Sequence, residues 1–339
     1  MFELNSKELK EALVEDLKVN LVPMVQSSPG MGKSDIVKSI AKEHNLKLID
    51  LRLSQCEPVD LQGFPSIVNG RMAYTPPENF PLEGLDEVPV GYDGWLLFLD
   101  EMNAAGLQVQ AAAYKILLDR MVDNRRIHSR VRMIGAGNLT TDKAIVNRQS
   151  TATQSRLVHY RFRADHEAWV EWANSAGIDH RVISFIKFKP PMLHRFDPNH
   201  SDLTFPCPRT WEFLSRMVKG KEVNNRMMHV RMAGTVGEGA ATEFKTYTQI
   251  YERLPTIESV KADPRGWTVP SEASERYALT TMFSHNVNVD NIETMMIAIE
   301  RLPMEFQVVT MKDIYQRIPE LKKHEQIQNW ISKNASKMF

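Results

Sequence analysis

The chain has 339 residues, 42% apolar and 25% charged, and its 42 lysines and arginines are balanced by 42 aspartates and glutamates. This length holds about two domains with real cores, and the charge balance excludes a globally basic nucleic-acid field and a solvating acidic tail. Two distant cysteines, Cys56 and Cys207, exclude a disulfide scaffold or zinc ribbon and fit a reducing, cytoplasmic setting. Met1-Phe2-Glu3-Leu4-Asn5 lacks the charged-then-apolar run of a signal peptide, no apolar run approaches the roughly 20 residues of a membrane span, and the histidines form no H-E-x-x-H.

In chain order, residues 6–17 carry Leu9, Leu13 and Leu17 at helical spacing and predict an opening helix. Pro23-Met24-Val25-Gln26 predicts a short buried strand, and residues 35–41 predict a helix. Between them lies Ser27-Ser28-Pro29-Gly30-Met31-Gly32-Lys33-Ser34. Strand, loop and helix in this order suit a phosphate-binding loop, G-x-x-x-x-G-K-[ST], with Gly32, Lys33 and Ser34 in its last places and Ser27 where glycine is usual. Ser28, Pro29, Gly30, Met31 and Gly32, with the helix start at Asp35, are expected to wrap phosphate, the backbone N–H groups of all but the proline donating to its oxygens. Lys33 would reach the β- and γ-phosphates and Ser34 would ligate Mg²⁺.

Residues 46–53 alternate and predict a second strand. Asp60-Leu61-Gln62-Gly63-Phe64-Pro65 opens a turn-rich region, in which Asn69-Gly70, between Ile67-Val68 and Met72-Ala73-Tyr74, predicts an inserted surface hairpin. Leu96-Leu97-Phe98-Leu99-Asp100-Glu101 predicts a central parallel strand, buried on both faces, whose carboxyl end is where open α/β sheets hold ligands. A helix over 108–121 and strands over 130–138 and 157–162 complete a doubly wound α/β domain with a five-stranded parallel sheet, residues 1–165. Helical segments at 166–173, 181–188 and 209–217 surround a proline-marked connection, 190–208. Beyond Gly234 the pattern is mostly helical, with segments at 240–254, 271–283, 291–301 and 311–330. Pro255 divides a helical domain, 166–254, from a C-terminal helical extension, 255–339.

Two acids at the end of a buried strand beside a phosphate loop have separable tasks: Asp100 to hold Mg²⁺ and Glu101 to polarise the attacking water. Asn138 ends the next strand, and its amide would meet the γ-phosphate or the water. Arg156 starts the fifth strand, away from its own loop, where it would reach a neighbouring subunit's nucleotide; Arg148 is a rival for that role. Arg209 opens a helix and would fold over the γ-phosphate. Each of these also has an ordinary reading, as a turn asparagine or a surface arginine.

Together these segments resemble the AAA+ ATPases, in the MoxR and dynein-related branch. The resemblance rests on Pro29-Gly30-Met31-Gly32-Lys33-Ser34 (Walker A), Leu97-Phe98-Leu99-Asp100-Glu101-Met102-Asn103 (Walker B), Asn138 (sensor 1), Ser155-Arg156 (arginine finger) and Pro208-Arg209 (sensor 2). Asp60-Leu61-Gln62-Gly63 followed by a hairpin also looks like that branch, whereas the helices after Pro255 match none of its features. The resemblance implies an ATP hydrolase with ATP and Mg²⁺ as cofactors, a helical lid over 166–254, and a ring, usually a hexamer, with ATP at subunit interfaces. It also implies chaperone-like remodelling of a protein partner, often beside a protein carrying a von Willebrand factor A domain. Two rivals stand beside it: a motor on nucleic acid, supported only by the basic stretch 120–132, and a nucleotide-binding scaffold with little turnover, against which Glu101 argues.

Overall fold

The computed structural model describes residues 2–142, 154–199 and 202–334. The chain forms two compact units, Met1–Ala164 with Asp197–Asn199, and Asp165–Phe196 with His200–Phe339.

The first unit runs β1 (Glu3–Leu4), α1 (Ser6–Lys18), β2 (Pro23–Ser27), α2 (Lys33–Glu43), β3 (Leu46–Arg52), α3 (Pro58–Gln62), β4 (Phe64–Val68), β5 (Arg71–Thr75), β6 (Gly94–Asp100), α4 (Leu107–Tyr114), β7 (Met121–Val122), β8 (Arg125–Arg126), β9 (Val131–Asn138) and β10 (Val158–Phe162). Six of these strands form one parallel sheet in the order β1-β10-β2-β9-β6-β3. The expected α/β class is found, with one strand more than the five expected. Glu3 and Leu4 pair with Arg161 and Phe162 at the edge, and two residues are too few to show alternation in a sequence.

Parity assigns the sheet residues to two cores. Leu96 and Phe98 of β6 join Leu9 and Leu13 of α1, Val37 and Ile40 of α2, and Ile134 and Ala136 of β9. Trp95, Leu97 and Leu99 join Val109, Ala112 and Ala113 of α4, with Val131 and Met133 of β9. A strand buried on both faces reads as a continuous apolar run, which is why β6 was legible.

The helix expected over 108–121 is shorter. It stops at Tyr114, passes through a wide turn at Lys115–Asp119, and reverses at Arg120, whose φ is 53°. The Arg120 guanidinium donates to the Val131 carbonyl at 2.7 Å and to Asn20 Oδ1 at 3.1 Å, so tertiary bonds claim the end of that helix. The basic stretch 120–132 is therefore a small β7–β8 hairpin leading into β9, not a solvated helix end. The turn-rich region contains the short helix α3, with Pro58 in its first turn. The predicted hairpin is present as β4–β5, with Asn69 and Gly70 left-handed at φ 52° and 73°, as a tight turn between twisted strands requires.

The second unit is helical: α5 (His166–Ala176), α6 (His180–Phe188), α7 (Pro208–Val218), α8 (Arg226–Val236), α9 (Glu238–Thr248), α10 (Ile257–Ala262), α11 (Ala273–Asn286), α12 (Ile292–Ile299), α13 (Met304–Arg317) and α14 (Glu325–Asn334). Residues on both sides of Pro255 lie within it. The single segment expected over 311–330 is two helices, broken at Ile318-Pro319, because proline there cannot continue the backbone ladder. The core is aromatic: Phe185 packs on Trp211, Phe244 and Tyr247, and the Trp211 indole donates to the Met192 carbonyl at 2.7 Å. A buried ion pair joins Lys187 to Asp313, and Asn174 donates to the other Asp313 oxygen.

This unit also holds a histidine neutral. Burial, then Arg317, then His180 and Lys187 push the His285 imidazole down to about 3, with Asp179 opposing. A depressed base binds no proton in the fold while the unfolded chain takes one near its ordinary value of about 6.5. Stability from His285 is thus intact above about 6.5 and declines as pH falls from there toward 3. Thermal melts between pH 7 and pH 5 should show a steeper loss in the wild-type chain than in His285→Gln; equal slopes would contradict this account.

Candidate functional site

The loop 28–32 leaves the carboxyl end of β2 in the middle of the sheet, between β10 and β9. Gly30 and Gly32 are its left-handed residues, at φ 75° and 88°; Ser27, the last residue of β2, is not among the left-handed positions. Serine therefore costs nothing in backbone strain at the place where glycine was expected. Met31 is buried in the core with Val37 and Ile40 and anchors the loop to its helix. Gly32, the N-cap of α2, contributes no side-chain hydrogen bond to its first turn. An uncapped helix start after a glycine loop fits a phosphate. Asp35 stands exposed in that first turn, its N–H bonded to the Gly32 carbonyl at 3.1 Å.

The Lys33 ammonium lies back along the loop. It donates to Ser27 Oγ at 2.9 Å, to the Ser27 carbonyl at 3.3 Å and to Asn138 Oδ1 at 3.4 Å. The Ser27 hydroxyl, fully buried, donates in turn to the Ser28 carbonyl at 2.9 Å. At the second residue of α2, Ser34 Oγ donates to Asp100 Oδ2 at 3.1 Å. Two oxygens so spaced match one edge of an octahedron with metal–oxygen bonds of ~2.1 Å, which fits Mg²⁺. Among the described residues no cluster of three His, Cys, Asp or Glu exists to form an all-protein cage. A Mg²⁺ held by one hydroxyl, one carboxylate, waters and phosphate does not need one.

Strand parity separates the two acids. Asp100 follows Leu96 and Phe98 on the α2 side of the sheet, which brings it to Ser34. Glu101 leaves the strand with φ 56°, a conformation rare for a residue with a side chain. Its N–H donates to Asp100 Oδ1 at 2.8 Å and its carboxylate accepts from the Ser54 hydroxyl, just beyond β3. The next residues pack under β9. A Cβ on Gly135 would lie 2.5 Å from Met102 Sδ, and one on Gly137 would lie 2.4 Å from Asn103 Oδ1. Asn103, buried, accepts from the Asn138 N–H at 3.0 Å and donates to its carbonyl at 2.7 Å. Asn138 is thereby fixed with its amide toward Lys33. Partial burial, and then the Asp100 charge, raises the Asp50 carboxyl on β3 above its ordinary value.

Lys33, Ser34, Asp100, Glu101 and Asn138 thus gather at the carboxyl ends of the neighbouring strands β2, β9 and β6. Ser54 and Asn103 belong with them and were not anticipated. Asn103 stood in the quoted motif without a role; for Ser54 the only signal was a hydroxyl just past the end of a strand. Arg156 is exposed at the amino end of β10, where Val158 pairs with Pro23, while the loop leaves β2 at its other end. Within one chain it stands apart from Lys33. Arg148 lies outside the described residues. Arg209 is exposed in the first turn of α7, in the second unit.

Residues 24–157 match the model of the ATPase family associated with various cellular activities (AAA). No curated protein matches the chain. Among solved structures, it is similar to NtrX from Brucella abortus at 15% identity, over 97% of this chain and 68% of that one, with a TM-score of 0.40. NtrX in complex with ATP matches at 14% identity, over 98% and 67%, with a TM-score of 0.39. A RuvB mutant from Thermotoga maritima matches at 16% identity, over 86% of each chain, with a TM-score of 0.41. Nothing about this chain's activity follows from those three likenesses.

Lys33→Ala removes the ammonium that Ser27 and Asn138 hold at the loop. The variant should remain folded, with an unchanged circular dichroism spectrum, and lose most of its ATP affinity by calorimetry. Wild-type affinity in the folded variant would exclude the loop as the nucleotide site.

Proposed function

We propose that the chain is a Mg²⁺-dependent AAA+ ATPase of the MoxR type, which couples hydrolysis to chaperone-like remodelling of a protein partner. The observation that carries the hydrolytic part is the division of labour at the end of β6. Asp100 is bonded to Ser34, on the metal side, while Glu101 is turned away from it and held by Ser54. When bound, Mg²⁺·ATP would supply a polarised γ-phosphate. The loop N–H groups would bind its oxygens, Lys33 would offset their charge, Ser34 and Asp100 would hold the cation, and Glu101 would polarise the attacking water. Asn138, held by Asn103, orients either that water or the phosphate.

The MoxR assignment draws on the β4–β5 hairpin, which follows Asp60-Leu61-Gln62-Gly63 and precedes β6. A hexameric ring, ATP at subunit interfaces, and a partner with a von Willebrand factor A domain belong to the same proposal. A nucleic-acid motor is the second reading: Arg120 is spent on the Val131 carbonyl inside the fold, and Arg125, Arg126 and Arg130 of the same stretch are exposed.

Glu101→Gln keeps shape and removes the charge. It should bind ATP as the wild type does and turn over at least roughly tenfold more slowly, in a steady-state phosphate-release assay. Wild-type turnover would leave a nucleotide-binding scaffold as the better reading.

Arg156 tests the ring. Arg156→Ala subunits keep their loops and Lys33→Ala subunits keep their arginine, so a mixture contains interfaces where a working loop faces a working arginine. Activity should partly return on mixing, with subunit exchange verified by labelled chains. If mixed rings form and activity stays absent, a cis role for Arg156, or a requirement for whole-ring coordination, becomes the better account.

A further inference from the structure

Helix α8 (Arg226–Val236) buries Met228, Met232 and Val236 and packs against α7 and α9. Arg226, Met227, Val230, Arg231 and Gly234 are exposed. At about 100° per residue these five positions fall on one arc of roughly 140°, in the order Arg226, Val230, Gly234, Met227, Arg231. The face is therefore an apolar stripe with an arginine along each margin. Met227 is 69% exposed and Val230 56%. Among the described residues no carboxylate pairs with either guanidinium.

Gly234 makes the face more specific. It sits inside the helix, where glycine weakens the backbone relative to alanine. A Cβ there would meet nothing within 4 Å, so no neighbour in the chain requires its absence. A bare backbone in the middle of an exposed apolar stripe leaves room for the close approach of another backbone.

We propose that this face of α8 docks an acidic amphipathic helix of a partner protein. The partner's apolar ridge covers Val230 and Met227, its backbone comes close at Gly234, and carboxylates along both flanks meet Arg226 and Arg231. Nucleic acid would use the arginines but leave the stripe between them uncovered. A lipid surface calls for a broad apolar face rich in Trp, Phe and Leu, and this face offers two large apolar side chains. The docking surface does not depend on nucleotide turnover.

The test uses the full chain and a fluorescent synthetic helical peptide with leucines in one stripe and glutamates on both flanks. Three comparators are needed: the same peptide with lysines for glutamates, duplex DNA, and phosphatidylserine vesicles. Anisotropy titration should show binding of the acidic peptide in preference to all three. The double variant Arg226→Glu/Arg231→Glu should weaken it by roughly tenfold or more and gain affinity for the lysine peptide. Gly234→Leu should weaken it comparably, whereas Gly234→Ala should raise the melting temperature and bind at least several-fold more tightly than Gly234→Leu. Circular dichroism establishes that each variant is folded. The proposal is overturned if the acidic peptide does not bind, or if it binds all folded variants equally. It is also overturned if the same substitutions abolish binding of DNA or vesicles, or self-association of the chain, and spare the peptide.

Discussion

Two glycines in β9 set the geometry on which the site depends. Gly135 and Gly137 leave the space that Met102 and Asn103 fill, and any side chain there would collide with them. Because Met102 and Asn103 tuck beneath β9, the chain must turn sharply right after Asp100, and Glu101 takes the left-handed conformation that makes this turn. The Met102 N–H then bonds the Ala136 carbonyl at 2.9 Å, and Asn103 grips both backbone polar groups of Asn138. Packing on one face of the sheet thus positions three polar groups at its edge. Asp100 stays on the α2 side, Glu101 swings toward β3, and Asn138 faces the loop.

Much of this was legible in the sequence because the signals were local or periodic. The run from Leu96 to Leu99 announced a doubly buried strand, and Gly32-Lys33-Ser34 after a strand announced the loop. What was not legible depended on partners distant in the chain. Ser54 is an ordinary hydroxyl until Glu101, 47 positions later, turns toward it. Arg120 reads as the end of a helix until the Val131 carbonyl takes its guanidinium. The break at Ile318-Pro319 is a different kind of miss, since the proline was visible and the apolar periodicity on both sides of it outweighed it.

The second unit follows another logic. Its chemistry-bearing groups are mostly sealed in: Lys187 with Asp313, Asn174 beside them, and His285 kept neutral among cations. Such pairs add little net stability over an apolar core, but they penalise alternative packings of similar helices.

Ser27 carries a consequence for selectivity. Lys33 already has the Ser27 hydroxyl and carbonyl and the Asn138 amide oxygen as partners. An arriving anion therefore gains only the difference between its own oxygens and these, not the whole strength of a charge-assisted bond. Singly or doubly charged anions have little advantage in that exchange. A polyphosphate has more charge, and further oxygens for the loop N–H groups, so under the proposed function the exchange would favour a nucleoside triphosphate over the simple anions of the surrounding solution.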